Sequence, residues 1–560
     1  MSSNIFNILN TAQVGLRSQL LAMEVTGHNI ANVQTEGYSR QQINFEAADS
    51  RFTEMGQIGT GVRVGAIERA HDEFLYLQIL GEGDRLGKSR VKHEVYDQLE
   101  ILMSEKSGQS LNQSLNQFFS GLQDVASNPT SPPERSTLLA EAQNLVSTFN
   151  NIGESLFQVQ QNLDAAVAVD LGKINSLTKD IASLNQAIHA NEPTTFNAND
   201  YRDERDLKVK KLTELVDMDF IDELDGQISL TRNDGTPLVL RSTAFTLDTA
   251  INGNNKSFYD VIVRDPAGNE TNITSTVNGG TLKGYLEMRD TVVEEILDKL
   301  DRLAAGFVKE FNEIHQQGFG LDGSTGNNFF STLKTTVDAN ANNTGLATLK
   351  ATNGDPSNIS VDKYEITITD SKSFSLQNLT RGASSGAFTF RQGSTFNLAN
   401  GFAVTISGTP ADGDKFTLSV SERAARNLSI ASGVLSNTSK ISAGVNSRTD
   451  GGNALKLVGL QSKTVFDNVS LDSAGSGTFT FDEFYSSLVS TLGIQSSASK
   501  ATFAQQEGIL LQLDTRRESI AGVSIDEEMI NMIKFQQAYN AAARLIAMVD
   551  ELLDNMIHQV

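Results

Sequence analysis

The chain has 560 residues, with 45 Lys and Arg against 68 Asp and Glu, a formal charge of −23 and a pI near 4.7. At about 150 residues per domain that length predicts three or four domains, and no segment approaches the ~20 apolar residues of a membrane span. The acidic balance argues against nucleic acid as a partner, and a cysteine count of 0 excludes disulfides, thiolate nucleophiles and Cys-based metal sites.

Met1 to Asn10 lacks a basic region followed by an apolar one, so no ordinary signal peptide is visible, which by itself predicts a cytoplasmic protein. Ile5, Leu9, Ala12, Leu16, Leu20, Met23 and Ile30 then recur at heptad spacing. The first 45 residues carry only Arg17 and Arg40 against Glu24 and Glu36, with no Lys. Such a neutral segment suits packing among copies of itself. Gly81 to Ser89 has the flavour of a phosphate-binding loop, but the position that must be the first Gly is Glu82. The segment is read as a flexible turn before a helix. Shorter helical patterns follow at Val91 to Met103 and Leu111 to Val125.

Between Ser131 and Pro193 the apolar stripe runs Leu138, Ala142, Leu145, Phe149, Ile152, Leu156, Val159 and Leu163, then Ile174, Leu177, Ile181, Leu184 and Ile188, with an interruption near Asp170. This predicts one long coiled-coil-like helix, opened by Ser131 as cap, Pro132 at the first position and Glu134 three residues on. At 1.5 Å per residue it would span about 80 to 90 Å, so the molecule should be elongated. From Asp219 to Asn278 the pattern changes to period two, with Asn233-Asp234-Gly235 and Asp265-Pro266-Ala267-Gly268 as turns. Helix returns at Val293, Ile296, Leu300, Leu303, Phe307, Phe311 and Ile314, ending near Gly318. A second strand-rich stretch occupies Ser331 to Ser421. At the far end heptads resume with Ile525, Met529, Met532, Tyr539, Ala543, Ile546, Leu553, Ile557 and Val560.

The fold class expected is multi-domain α+β: an elongated discontinuous helical core, made of terminal coiled-coil helices plus a long-helix bundle, with inserted all-β domains. Residues 1–45 and 521–560 would form the terminal assembly domain; 46–218, 279–330 and 422–520 the helical domain; 219–278 and 331–421 the two β insertions. Burying about seven seam side chains returns less than ordering some 40 residues costs, so the terminal pair needs neighbours to cover it. Ile5, Leu9, Leu16, Leu20, Met23, Ile30, Ile525, Met529, Met532, Tyr539, Ile546, Leu553 and Ile557 are the candidate subunit-assembly residues.

No chemistry emerges beside this. The six histidines form no His-x-x-x-His pair. His71 beside Asp72 and Glu73 reads as a helix start, Ala411-Asp412-Gly413-Asp414 as a turn without calcium-loop ligands, and Asp526-Glu527-Glu528 as first-turn acids favoured by the helix dipole. The expectation is a protein without catalytic residues, metal or cofactor.

Several stretches resemble flagellar axial proteins. Leu9-Asn10-Thr11-Ala12-Gln13-Val14-Gly15-Leu16 and Gly27-His28-Asn29-Ile30-Ala31-Asn32 through Gly37-Tyr38-Ser39-Arg40-Gln41 are similar to their N-terminal signature, with His28 for an Asn and Glu36 for a Pro before Gly37. Asn199-Asp200-Tyr201-Arg202-Asp203-Glu204-Arg205-Asp206, Gly279-Gly280 with Arg289-Asp290, Asn312 with His315, and Gly522-Val523-Ser524-Ile525-Asp526-Glu527-Glu528-Met529 through Ile546 narrow the resemblance to the hook-associated protein 1 (FlgK) family. That resemblance implies a junction adaptor between hook and filament, polymerising on the hook tip, with the terminal helices forming an inner tube. It implies as partners other copies of the chain, the hook protein, hook-associated protein 3, and the flagellar type III export apparatus, which overrides the cytoplasmic reading. It also implies a FlgN-type export chaperone on the C-terminal helix, for which Phe535, Tyr539, Leu545 and Val549 are the candidate contacts. Another axial protein, hook-associated protein 3 or the hook protein, is the alternative within the class. A flagellar cell-wall hydrolase is the alternative outside it.

Overall fold

The structure, a computed structural model, describes residues 2–558 apart from 54–55, 104–109, 193–196, 224, 266, 356–357 and 470–476. Pro193, Pro266 and Val560 lie outside the described residues, as does the side chain of Ile557. The helices are α1 (Ser2–Ala31), α2 (Glu73–Met103), α3 (Leu111–Ser127), α4 (Pro132–Asn191), α5 (Asn199–Thr213), α6 (Gly280–Glu287), α7 (Val293–Gln316), α8 (Ala424–Asn427), α9 (Ser432–Ser436), α10 (Gly452–Val458), α11 (Phe481–Ala521) and α12 (Ile525–His558).

α4 is the spine, and its 60 residues form one uninterrupted helix. Ser131 is its N-cap, but the Ser131 hydroxyl bonds the Glu134 carboxylate rather than a backbone amide. The break read near Asp170 is not a break in the helix. It marks where the stripe changes partner. Before it, Leu138 to Leu163 pack with α3 and α7 around Phe118, Phe307, Phe311, Phe329 and Phe330. From Val167 on, the stripe, with Leu171, Ile174 and Ile181, packs beneath strands. Asp170 itself is buried at the crossover, accepting a hydrogen bond from Thr281 and pairing with Lys173 at 2.8 Å.

Those strands make two antiparallel meanders, Asp219–Asp222, Ile228–Thr231, Pro237–Leu240 and Thr243–Ala244, then Thr246–Ile251, Tyr259–Arg264 and Glu270–Asn272. The turn at Asn233-Asp234-Gly235 forms, with Gly235 at φ +82° where a side chain would be strained. Ile228, Leu230, Leu238, Val239, Leu247, Val261 and Val263 share one core with α4, so this insertion is roofed onto the spine. The second strand-rich stretch forms a five-stranded sheet and a three-stranded sheet enclosing Ile366, Phe374, Phe402 and Phe416. The chain returns to the helices where the amides of Arg423 and Ala425 donate to Asp301 of α7 at 2.9 and 2.8 Å.

Three elements differ from the sequence expectation. Gly81 to Ser89 is not a turn; it lies inside α2, where its glycines allow close packing. A Cβ on Gly87 would stand 2.0 Å from the Glu214 carbonyl oxygen, and one on Gly83 2.8 Å from the Thr213 hydroxyl. Residues 41–69 carry antiparallel pairs, Gln41–Ala47 with Val62–Arg69 and Arg51–Thr53 with Gly56–Ile58, where no strands were read. α11 is a 41-residue helix whose small-residue surface gives little apolar periodicity, capped by a reciprocal Thr480 and Glu483 box. It packs along α2 through Leu75, Ile79, Leu86 and Leu510, with His93 stacked on Phe503.

Candidate assembly interface and its joint

α1 lies against α12, so the two chain ends pair as their heptads predict. The contact is filled by small and polar residues of α1, with Ala12, Ser18, Ala22, Val25, Thr26 and Asn29 buried. Small side chains let two helix backbones approach closely. The larger seam residues stand to the side: Ile5, Leu9, Leu16, Met23, Ile30, Met532, Tyr539, Ile546 and Leu553 are partly buried, and Leu20, Ile525 and Met529 are exposed. Phe6, Ile8, Ile530, Ile533, Met548 and Leu552 are exposed as well. The stripe read from the sequence therefore is not swallowed by the intrachain pair. Of the four candidate chaperone contacts, Leu545 is exposed, Phe535 and Tyr539 are partly buried, and Val549 is 3% exposed. Val549 is therefore covered in this conformation.

The 41–69 segment, for which no strands were read from the sequence, leans on this pair. Phe45 meets Phe535 edge to face at 6.3 Å, and the Thr11 hydroxyl donates to the Thr60 carbonyl at 3.1 Å. A groove of about 1160 Å³ opens between α1, α12 and the 51–58 hairpin, lined by Ile8, Ala12, Phe52, Ile58, Ala542 and Leu545. Phe52, at its lip, is 81% exposed. Apolar area left open to this extent is characteristic of an interface awaiting a partner.

Among the described residues the three buried apolar clusters lie in the body, and polar contacts that gather segments far apart in sequence tie the terminal pair to it. Asn29 is 1% exposed. Its side-chain amide donates to the Gln41 carbonyl at 2.9 Å and to Glu528 at 3.2 Å, and its oxygen accepts from the Gln41 amide at 2.9 Å and the Tyr38 hydroxyl at 2.8 Å. Arg40 pairs with Glu528 at 2.7 Å and with Glu527 at 2.9 Å. On the body side the Ser39 amide donates to Asp203 at 2.7 Å, while Arg69 bridges Asp203 and Asp206 at 2.9 and 2.7 Å. Gln41 reaches Asp200 at 2.7 Å. Burial, with Asp200, Asp203 and Glu528 around it, pushes the Tyr38 hydroxyl well above its ordinary range, so it stays a neutral donor. The turn keeps its shape without the proline: Gly37 sits at φ +82° against Leu207, and Glu36 pairs with Lys211 at 3.1 Å.

The motifs 27–41, 199–206 and 522–529 thus converge on one joint, which periodicity alone had no means of finding. The remaining motifs serve the body. Arg289 is fully buried between Asp164 and Asp290 at 2.6 and 2.7 Å, and Asn312 ties the amides of Phe329 and Phe330 at 3.0 Å. His71 is lowered by burial, and Asp72 beside it accepts from the Leu75 amide at 3.0 Å as the start of α2. Asp414 receives the amides of Thr344, Gly345 and Ala411 at 2.9 to 3.1 Å, which makes it a loop anchor. Among the described residues no group of three or more His, Asp or Glu could hold a metal ion, and no helix is long and apolar enough to cross a membrane.

Paired terminal helices of one chain are held by a polar joint to a helical body that bears sheets, and three family models match successive parts of this architecture. Residues 96–330 match the model of the flagellar hook-associated protein FlgK helical domain, 518–558 that of the flagellar basal body rod FlgEFG protein C-terminal region, and 9–38 that of the flagella basal body rod protein. Flagellar hook-associated protein 1 of Escherichia coli strain K12 is 29% identical over 556 residues, covering 99% of each chain. Its counterpart in Bacillus subtilis strain 168 is 28% identical over 589 residues, covering 99% of this chain and 98% of that one. The flagellar hook junction protein FlgK from Burkholderia pseudomallei has the same fold, with a TM-score of 0.67 at 21% identity over 79% of this chain and 100% of that one. Over its whole length the chain is therefore similar to flagellar hook-associated protein 1, and its central helical region matches the FlgK helical-domain model.

Proposed function

We infer that the chain is the structural adaptor at the junction of hook and filament, polymerising on the hook tip and required for filament attachment. The observation that carries this reading is the open apolar surface of the α1 and α12 pair beside the 1160 Å³ groove, tied to the body by a polar joint. In a ring of copies, neighbouring terminal helices cover Phe6, Ile8, Leu20, Met529, Ile533 and Met548, adding the apolar burial that one pair lacks. The terminal helices, ordered fully only in that setting, form the inner layer. The helical body, 46–218 with 279–330 and 422–520, surrounds it, and the strand-rich segments 219–278 and 331–421 lie outside. Its neighbours are other copies of itself, the hook protein and hook-associated protein 3. Before assembly a FlgN-type chaperone holds α12 in its separated state, when Val549 is accessible with Phe535, Tyr539 and Leu545. The chain then leaves through the flagellar type III export apparatus. It acts by binding and shape, without a catalytic step or cofactor.

The test is to complement cells lacking the chain with Leu16→Asp or Ile546→Asp. Each puts a charge into the shared seam. The expected result is variant protein secreted to the medium and hooks left bare; junctions of normal yield and stability would overturn the assignment of the terminal helices as the assembly surface.

A further inference from the structure

The Gly81 to Ser89 segment, being helical, binds no phosphate, yet it contributes two of three cations placed on one face of α2. Arg85, Lys88 and Lys92 are spaced three and four residues apart and line a groove of about 510 Å³ between α2 and α11. Lys88 and Lys92 share one carboxylate, Glu287, at 3.1 and 2.8 Å, while Arg85 pairs with Glu82 at 2.8 Å. The groove lining itself carries three cations and no carboxylate, although Asp84 also feels Lys88 and Arg85 from beside it, and Arg85 remains 67% exposed. The opposite wall is polar and incomplete. Ser499 is 9% exposed, and its hydroxyl has no hydrogen-bond partner; the buried side-chain oxygen of Gln506 has none either. Buried polar atoms are normally satisfied, so these two leave unused hydrogen-bonding capacity in residues that line the groove.

The surroundings define the visitor. α11 presents Ala498, Ala501 and Gly508 outward, with no atom within 4 Å of the space above Gly508, so another backbone can come close. Ile494 and Leu511 stand exposed beyond the two ends of this smooth stretch. In a chain of net charge −23, any neighbouring copy brings carboxylates in excess, and this groove is a local exception in sign. We propose that the α2 and α11 groove is a second self-interface, in the helical layer, that takes Asp or Glu side chains of a neighbouring copy. The inference rests on the reading of the chain as a homopolymeric junction subunit. It adds a polar contact that fixes register, where the terminal helices supply apolar burial.

The absence of natural cysteine allows a direct test in the full-length chain. Thr502→Cys lines the groove and is exposed, so it can be labelled with a benzophenone and carried into junctions assembled in cells. Irradiation of isolated junctions should yield a dimer of this chain, with the adduct mapping to a segment that bears Asp or Glu. Arg85→Glu, at an exposed position that leaves the fold intact, should lower the adduct about two- to fivefold, the effect of roughly one exposed charge contact, and Arg85→Lys should restore most of it. No adduct between copies, an adduct to a different axial protein, or a yield indifferent to Arg85→Glu would overturn the proposal. Failure of the junction reading itself is seen separately, as the absence of the chain from the isolated junctions.

Discussion

Asn29→Ala removes the hub of the joint while leaving the apolar faces of α1 and α12 untouched. Four hydrogen bonds are lost: two with the Gln41 backbone, one from Tyr38 and one to Glu528. Three of these lie in partly buried surroundings, where a net value of about 1 kcal/mol each is appropriate, and the one to a charged, buried carboxylate is worth about 1.5 to 3 kcal/mol. Neighbouring losses overlap, and Arg40 still pairs with Glu528, so the expected total is about 3 to 4 kcal/mol. That corresponds to an increase of roughly 10² to 10³ in the opening equilibrium of the joint. Hydrogen exchange reads it directly: the amides of Ser39 and Gln41 should lose protection by that factor, and proteolysis between 32 and 41 should accelerate. Amides in α4 and α7, buried in a different core, should keep theirs. Unchanged protection at Gln41, or loss spread evenly through the body, would refute the claim that the polar joint around Asn29 holds the terminal pair.

Further outcomes follow from the same structure. Gly87→Ala forces a Cβ onto the Glu214 backbone and should cost about 1 to 3 kcal/mol, lowering the melting temperature of the body by several degrees. Gly81→Ala, in the same helix with nothing within 4 Å, should instead be neutral or stabilising by about 0.5 to 1 kcal/mol; scanning calorimetry of both variants checks the difference in sign. Burial pushes the Asp301 carboxyl up to about 7, so the folded state holds a proton that the unfolded state has released by then. Its stabilising contribution is therefore complete below the ordinary carboxylate range and is lost as pH rises toward 7. Urea midpoints of the native chain relative to Asp301→Asn should fall between pH 4 and 8, and a constant difference would contradict this.

How much of this was legible in the sequence depends on whether the signal was periodic. α4, α7 and the terminal stripes announce themselves because one wide apolar face repeats for many turns, and Asn233-Asp234-Gly235 writes its own turn. α11 does not, since its surface is built from Ser, Ala and Gly that pack by closeness rather than by bulk. The glycines of α2 read as a loop for the same reason: only the nearness of Glu214 and Thr213 explains why glycine is needed inside a helix there. The joint was visible only as separate stretches of resemblance. Asn29 and Glu528 are 499 residues apart, and nothing local says that they share a hydrogen bond. The terminal stripes were legible, but that α1 buries chiefly residues outside the candidate set, Ala12, Ala22 and Val25, required the structure.

The central claim is that this chain joins filament to hook. Electron microscopy of cells lacking it, with flagellin assayed in the culture medium, tests that claim most directly. The account predicts complete hooks without filaments and flagellin lost to the medium; normal filaments on those hooks would contradict it.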